Sequence, residues 1–319
     1  MNEEKLLPFI YIVVPCFNEE EILKTSAATL AVITEELKAE KLARDCRILF
    51  VDDGSRDSTW QQIKELTEGT GPFCGLRLSH NCGHQKALLA GLQEAAPKCD
   101  AVVTIDADLQ DDPAAILEMA KAFDNGAEIV YGLRADRSCD SSFKRGSARL
   151  FYRLMLLLGA EIKPNHADFR LMSRRAVDYL LEFHEANLFL RGLVPLIGLK
   201  NTEVQYTRRE RKAGQSKYPL TKMLALAFDG LTSFSVRPIR LITATGLIIF
   251  LISVIMLLWS LYAKFFGQTV KGWTSLMLSI WMLGGIQLLS LGLVGEYIGK
   301  IYKEAKGRPG WFIWERRMK

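Results

Sequence analysis

Three short stretches of this chain gather acidic and amide side chains directly after apolar runs. They are Pro15-Cys16-Phe17-Asn18-Glu19, Asp52-Asp53-Gly54-Ser55 and Asp106-Ala107-Asp108-Leu109-Gln110-Asp111-Asp112. An Asp-x-Asp pair alone says little, because aspartate caps helices freely. Three acid clusters, each at the end of an apolar run, say more. Carboxylates brought that close repel one another unless a cation or hydrogen-bond donors stand among them. An oxygen-rich set suits Mg2+ or Mn2+ better than zinc.

Other chemistries fail on spacing. No Gly-x-Gly-x-x-Gly follows the first apolar run, and no Gly-Lys-Ser/Thr loop occurs. His80 and His84 stand four apart, but Asn81 occupies the place where a zinc-protease pattern needs glutamate. A net charge of +5 is too mild to argue for nucleic acid. Six cysteines, none in a C-x-x-C pair, read as reduced thiols of a cytosolic domain.

The elements that must position the acids alternate regularly. Strand-like runs at 9–14, 47–51, 75–78, 101–105 and 129–131 are separated by helical patterns at 19–38, from 57, at 83–95 and at 113–123. This βαβ alternation predicts a mostly parallel sheet with helices on both faces. The carboxyl ends of parallel strands share one edge, where open α/β sheets bind ligands. Glu19, Asp52, Asp53, Asp106 and Asp108 are thereby expected in one crevice.

The remainder of the chain differs in kind. Residues 241–263 and 272–295 contain no Asp, Glu, Lys or Arg. As helices they would each span roughly 34–36 Å, enough for a hydrocarbon core of roughly 30 Å. The connector holds Lys264 and Lys271, whereas seven basic residues follow position 295. Positive-inside bias places both flanks in the cytoplasm and the connector outside. The run 143–159 sets Arg145, Arg149 and Arg153 on one helical face beside a broad apolar surface, as in a helix lying in the headgroup layer. A weaker amphipathic pattern covers 219–236. The expected organisation is a catalytic domain over 1–215, a juxtamembrane segment over 216–240, two transmembrane helices, and a basic tail over 296–319.

Val13-Val14-Pro15-Cys16-Phe17-Asn18-Glu19-Glu20, Val51-Asp52-Asp53-Gly54-Ser55-Arg56-Asp57-Ser58-Thr59 and Asp106-Ala107-Asp108-Leu109-Gln110-Asp111 resemble the signatures of family 2 glycosyltransferases. Asn81-Cys82-Gly83-His84-Gln85, Ala167-Asp168-Phe169-Arg170 and Arg211-Lys212-Ala213-Gly214-Gln215-Ser216-Lys217 narrow this to the polyprenyl-phosphate glycosyltransferases. The pattern departs at His80, where relatives usually carry arginine.

The resemblance implies a GT-A nucleotide-diphospho-sugar transferase fold, with interfacial helices and two C-terminal transmembrane helices. It implies transfer of one sugar, with inversion, from a nucleotide-sugar to undecaprenyl or another polyprenyl phosphate at the cytoplasmic face of the inner membrane. Pro15, Asn18, Glu19, Asp52, Asp106 and Arg211 would line the donor site, Asp52 facing the base and Asp53 holding the adjoining loop. Asp106, Asp108 and Gln110 would hold Mg2+ or Mn2+, with Asp108 also counted as catalytic. Arg134, Lys144, Arg145, Ser147, Arg211 and Lys217 are the candidate phosphate ligands; arginine's planar fork suits two phosphate oxygens at once. Asp168 would stand near the transferred sugar, either as a base or as an orienting group. A lipid phosphate is already largely ionised at neutral pH. The bilayer is an expected partner, nucleic acid is not, and a homo-oligomer is left open. A processive synthase would call for a Gln-x-x-Arg-Trp-like stretch and more spans, and a non-catalytic membrane partner would not need Asp106, Asp108 and Asp168.

Overall fold

The computed structural model describes residues 6–134, 166–185, 190–207 and 272–319, with isolated helical positions between 242 and 255. Among the described residues, eight strands form one sheet: β1 (Phe9–Cys16), β2 (Asp45–Asp52), β3 (Phe73–Leu78), β4 (Ala101–Thr104), β5 (Ile129–Arg134), β6 (His166–Ser173), β7 (Asn201–Tyr206) and β8 (Ile313–Arg317). Their order across the sheet is β7-β5-β6-β4-β1-β2-β3-β8. The chain steps outward from β1 through β2 to β3, then returns to β4 on the other side of β1. Parallel pairing of β1 with both β2 and β4 makes that place the topological switch, where a crevice opens.

The intervening helices are α1 (Leu23–Ala39), α2 (Thr59–Glu68), α3 (His84–Ala95), α4 (Ala115–Asp124), α5 (Arg174–Leu181), α6 (Leu190–Leu196) and, far along the chain, α7 (Trp273–Ala305). Alternation along β1 sends Ile10, Ile12 and Val14 into one layer with Leu30 of α1, Ile63 of α2 and Met119 of α4. Each such side chain, fully removed from water, contributes roughly 1.5–3 kcal/mol. The opposite face of the sheet carries α3. There Gly91 permits a very close approach, since a Cβ at that position would lie 2.5 Å from Val13 Cγ1 and 2.8 Å from Val51 Cγ2.

The expected alternation is present from β1 to β5, with three differences. Helix α1 begins at Leu23 and not near residue 19. The Glu19 carbonyl accepts the amides of Ile22 and Leu23, so 19–22 close as a turn while the Glu19 N–H donates to Thr59 Oγ1. Second, β6 enters antiparallel between β4 and β5, which periodicity does not foretell. Third, the stretch 296–319 is not a simple tail. Residues through Ala305 continue α7, and Ile313–Arg317 pair antiparallel with β3 as an edge strand.

The chain divides into two compact units, one of residues 1–146, 162–217 and 308–319, the other of 147–161 and 218–307. The sheet lies in the first. In the second, the 33-residue α7 exposes Leu276, Ile280, Leu288, Leu291 and Ile298. No helix is, over its described residues, long and apolar enough to cross a membrane. The expected helix over 143–159, the segment 216–240 and most of 241–263 lie outside the described residues. All five described cysteines are free thiols.

Candidate active site

Strand register fixes which acids meet. Val13 pairs with Thr104 and Cys16 with Asp52, so the loops after β1, β2 and β4 leave the sheet side by side. β6 runs the other way, with Arg170 opposite Thr104. Two residues before Arg170 is Asp168, which therefore lies beside Asp106, two residues after Thr104. The Thr104 hydroxyl donates to the Asp168 carbonyl and secures this junction.

A cavity of about 290 Å³ opens at this edge, lined among others by Pro15, Glu19, Asp53, His84, Asp106 and Asp108. Side chains lace its loops together. Asn18 N–H donates to Ser55 Oγ at 2.9 Å, and Arg56 N–H to Asn18 Oδ1 at 2.9 Å. Asn18 and Leu109 both hold positive φ, 55° and 44°. For a leucine this backbone is costly, and such strain is typical of loops held for function. At Gly54, φ is +70° and a Cβ would meet His80 C at 2.7 Å, so this turn requires glycine to let the loop after β3 approach.

The adjacent aspartates after β2 divide their work. Asp53 lines the cavity and accepts the N–H groups of Cys82 and Gly83 at 2.7 and 2.9 Å, holding the adjoining loop. Asp52 is fully buried. Its Oδ1 accepts from Ser55 N–H at 3.1 Å. Its Oδ2 stands 3.3 Å from Arg77 Nε but receives no hydrogen bond. Burial pushes the carboxyl of Asp52 upward against the Ser55 hydrogen bonds and Arg77.

Asp106 and Asp108 both face the cavity. Burial raises the carboxyl of Asp106; Asp168, Asp111 and Asp108 add to the rise, while His84, 3.5 Å away, opposes it. Crowded carboxylates of this kind are what a divalent cation relieves. Among the described residues, no group of three or more His, Cys, Asp or Glu surrounds one point. Two carboxylates are nevertheless a fitting donor set for Mg2+ or Mn2+, which commonly fill their shell with substrate phosphate and water. Gln110, expected beside the metal, is turned differently. It is buried, and its Nε2 donates to Asp108 Oδ2 at 2.8 Å, which orients that carboxylate.

Asp168 does not line the cavity. It pairs with Arg170 Nη2 at 2.6 Å and with Arg191 Nη2 at 3.1 Å. Burial would raise its carboxyl, but the two guanidiniums prevail and hold it below the usual carboxylate range. A base working at neutral pH needs the opposite tuning, so this geometry favours orienting over proton abstraction. Arg134 pairs with Asp111 at 3.2 Å and donates to Tyr206 Oη at 3.2 Å. Lys144, Arg145, Ser147, Arg211 and Lys217 lie outside the described residues. Arg191 was missed by the sequence reading. Its signal was a lone cation within the apolar run 188–197.

The comparisons agree with this architecture. The pattern of Glycosyl transferase family 2 matches residues 11–181, and that of the GtrB C-terminal hairpin matches 237–301. The uncharacterized glycosyltransferase YkoT of Bacillus subtilis (strain 168) is 51% identical over 307 residues, 96% of this chain and 91% of that protein. A bactoprenol glucosyl transferase of Shigella phage SfV is 39% identical over 312 residues, 97% of this chain and 99% of its own. A prophage bactoprenol glucosyl transferase homolog of Escherichia coli (strain K12) is 39% identical over 306 residues, 95% and 98% of the two chains. With its mostly parallel sheet and the acids at its switch point, the chain has the GT-A α/β fold and belongs to glycosyl transferase family 2.

Proposed function

We propose that this enzyme moves one sugar from a nucleotide-sugar, in the first instance a UDP-sugar, to undecaprenyl or another polyprenyl phosphate at the cytoplasmic face of the inner membrane. The observation that carries the reading is the Asp106–Asp108 pair opening onto the same cavity as Pro15, Glu19 and Asp53. The names of the bactoprenol relatives, matched over nearly the full length, support the lipid acceptor. Membrane association is supported by the uncharged run 272–295, which α7 takes up from Trp273, and by the match to the hairpin.

Each residue then has a task. Asp52 is assigned to the base by resemblance, although it is buried and does not line the cavity. Asp106 and Asp108 would hold Mg2+ or Mn2+, which offsets the charge developing on the departing diphosphate. Gln110 keeps Asp108 in orientation. Arg211, with Lys144, Arg145, Ser147 and Lys217, is assigned to phosphate by resemblance. The acceptor's phosphate oxygen forms the new bond to the anomeric carbon as the bond to the diphosphate breaks, giving inversion. An oxygen already ionised needs no base, and Asp168 then serves to hold cations.

The test is incubation of purified protein with labelled polyprenyl phosphate and a panel of UDP- and GDP-sugars. One donor should yield a lipid-linked monosaccharide. Asp108→Ala should lower turnover at least about 100-fold, as loss of a charge-stabilising contact in the transition state does, without loss of fold by circular dichroism. Preference of the wild type for a free oligosaccharide acceptor would sink the assignment, as would full activity in excess EDTA sink the metal site.

A further inference from the structure

Asp168 carries two guanidiniums, and they are not equivalent. Arg170 is buried, with its side chain 3% exposed and its Nη2 2.6 Å from the carboxylate, so it alone supplies a buried counter-charge. Arg191 contacts the other carboxylate oxygen at 3.1 Å with its side chain 43% exposed. Its charge also feels Asp106 and Arg134, which places it at the junction of the acid pair and the Arg134–Asp111 pair. Three guanidiniums, of Arg134, Arg170 and Arg191, thus stand against the carboxylates of Asp111 and Asp168 on this flank. With Asp106, which Arg191 also feels, three guanidiniums meet three carboxylates, beside the cavity that Asp106 and Asp108 line.

The backbone that delivers Arg191 is pinned from both sides. Leu190 N–H donates to Gln85 Oε1 at 2.9 Å, and the Leu190 carbonyl accepts from Arg170 Nη1 at 3.4 Å. Leu190 itself is buried, as are Leu193 and Val194 further along α6. A seven-residue helix anchored in this way holds its one exposed cation at a set position. The arrangement uses the buried Arg170 and the half-buried Gln85 to locate a guanidinium whose outer face remains open to water. Holding a cation in place ahead of its ligand is how enzymes bind anionic groups without reorganisation cost.

We propose that Arg191 is a phosphate-binding residue of this site, anchored by Asp168 and aimed at an anionic oxygen of a substrate phosphate. The inference rests on the sugar-transfer reading above. It makes Asp168 a positioning residue for Arg191, and it accounts for a carboxylate held between two guanidiniums. The same chemistry fits the donor's diphosphate or the acceptor's monophosphate, and binding measurements separate them.

The experiment compares wild type, Arg191→Gln and Arg191→Lys, as full chains in lipid nanodiscs. The readouts are the affinity for UDP and for uridine by calorimetry, and KM for donor and for polyprenyl phosphate. If the donor's diphosphate is the ligand, Arg191→Gln should weaken UDP and raise donor KM by roughly 10- to 150-fold with uridine affinity unchanged. If the acceptor's phosphate is the ligand, the same change should appear in polyprenyl phosphate KM with UDP affinity unchanged. In either case Arg191→Lys should recover only part, because the second donor of the fork is lost. Wild-type affinities and KM values in both variants overturn the proposal. So does a fall in melting temperature and kcat with no change in either phosphate ligand, which is what a merely structural ion pair would give. A wild type that transfers no sugar from any nucleotide-sugar overturns the functional reading, a result distinct from an active wild type whose Arg191→Gln variant binds normally.

Discussion

Asp168 shows why a residue's type is not its role. By resemblance it would stand where a base does, yet the two arginines that touch it hold its carboxyl below the usual carboxylate range. Its pairing has a stability consequence that can be measured apart from activity. Asp168→Asn leaves the buried Arg170 without a counter-charge, and breaking such a pair costs about 3–5 kcal/mol. The sign of the pH dependence follows from the lowered carboxyl. Its stabilisation is fully present above the unfolded-state value of about 4 and is lost as pH falls through the folded-state value. Denaturant melts should therefore show a wild-type advantage that is level from pH 5 to 8 and shrinks only below about pH 4. An advantage that disappears between pH 5 and 7 would mean that the carboxyl is raised, and would return Asp168 to the role of base.

At the scale of elements, the returning strand β8 reaches the side of the sheet that carries Asp52 and Asp53. Glu315 Oε2 accepts from the Trp60 indole at 3.2 Å, the Arg77 guanidinium lies 5.7 Å from the centre of that ring, and Arg77 Nε stands 3.3 Å from Asp52. Ser79 N–H donates to the Phe312 carbonyl just before the loop that Asp53 holds. Ion pairs of Arg316 with Glu94 and of Arg317 with Glu68, both 3.0 Å, lie at the surface and add little on their own. The backbone ladder and the Trp60 contact matter more. A chain lacking residues 313–319 should melt at a lower temperature and bind donor about fivefold more weakly, the worth of one net hydrogen bond. Acceptor KM should stay unchanged. Equal loss for both substrates would reduce β8 to general support.

For the whole molecule, the same strand constrains topology. Ile313–Arg317 pair with β3 inside the unit that holds the N-terminal domain. Whatever the apolar region crosses, the chain returns to the side it left. The basic flanks predict that this side is the cytoplasm. A cysteine introduced at Ser141 should resist an impermeant thiol reagent applied to intact cells, while one introduced within 267–272 should react. Labelling at 141 from outside would reverse the orientation.

Local chemistry was enough to determine the strands and helices through β5 and the acids at their ends. Apolar runs of strand length, Gly54 in its turn and the Asp106–Asp108 spacing act over a few residues and read directly from the chain. So does the family, since its motifs are contiguous. Only tertiary structure decided the rest, because it depends on pairings between distant segments that periodicity does not record. Antiparallel insertion of β6 sets Asp168 against Asp106, 62 positions away in the numbering. Register and burial, not residue type, turn Asp53 into the cavity and Asp52 into the interior. Arg191 gains its position from Gln85, Asp168 and Arg170, three residues on other elements. β8 joins the sheet because β3 presents an edge whose backbone groups need partners, a demand set by the folded sheet and by no residue of the tail itself.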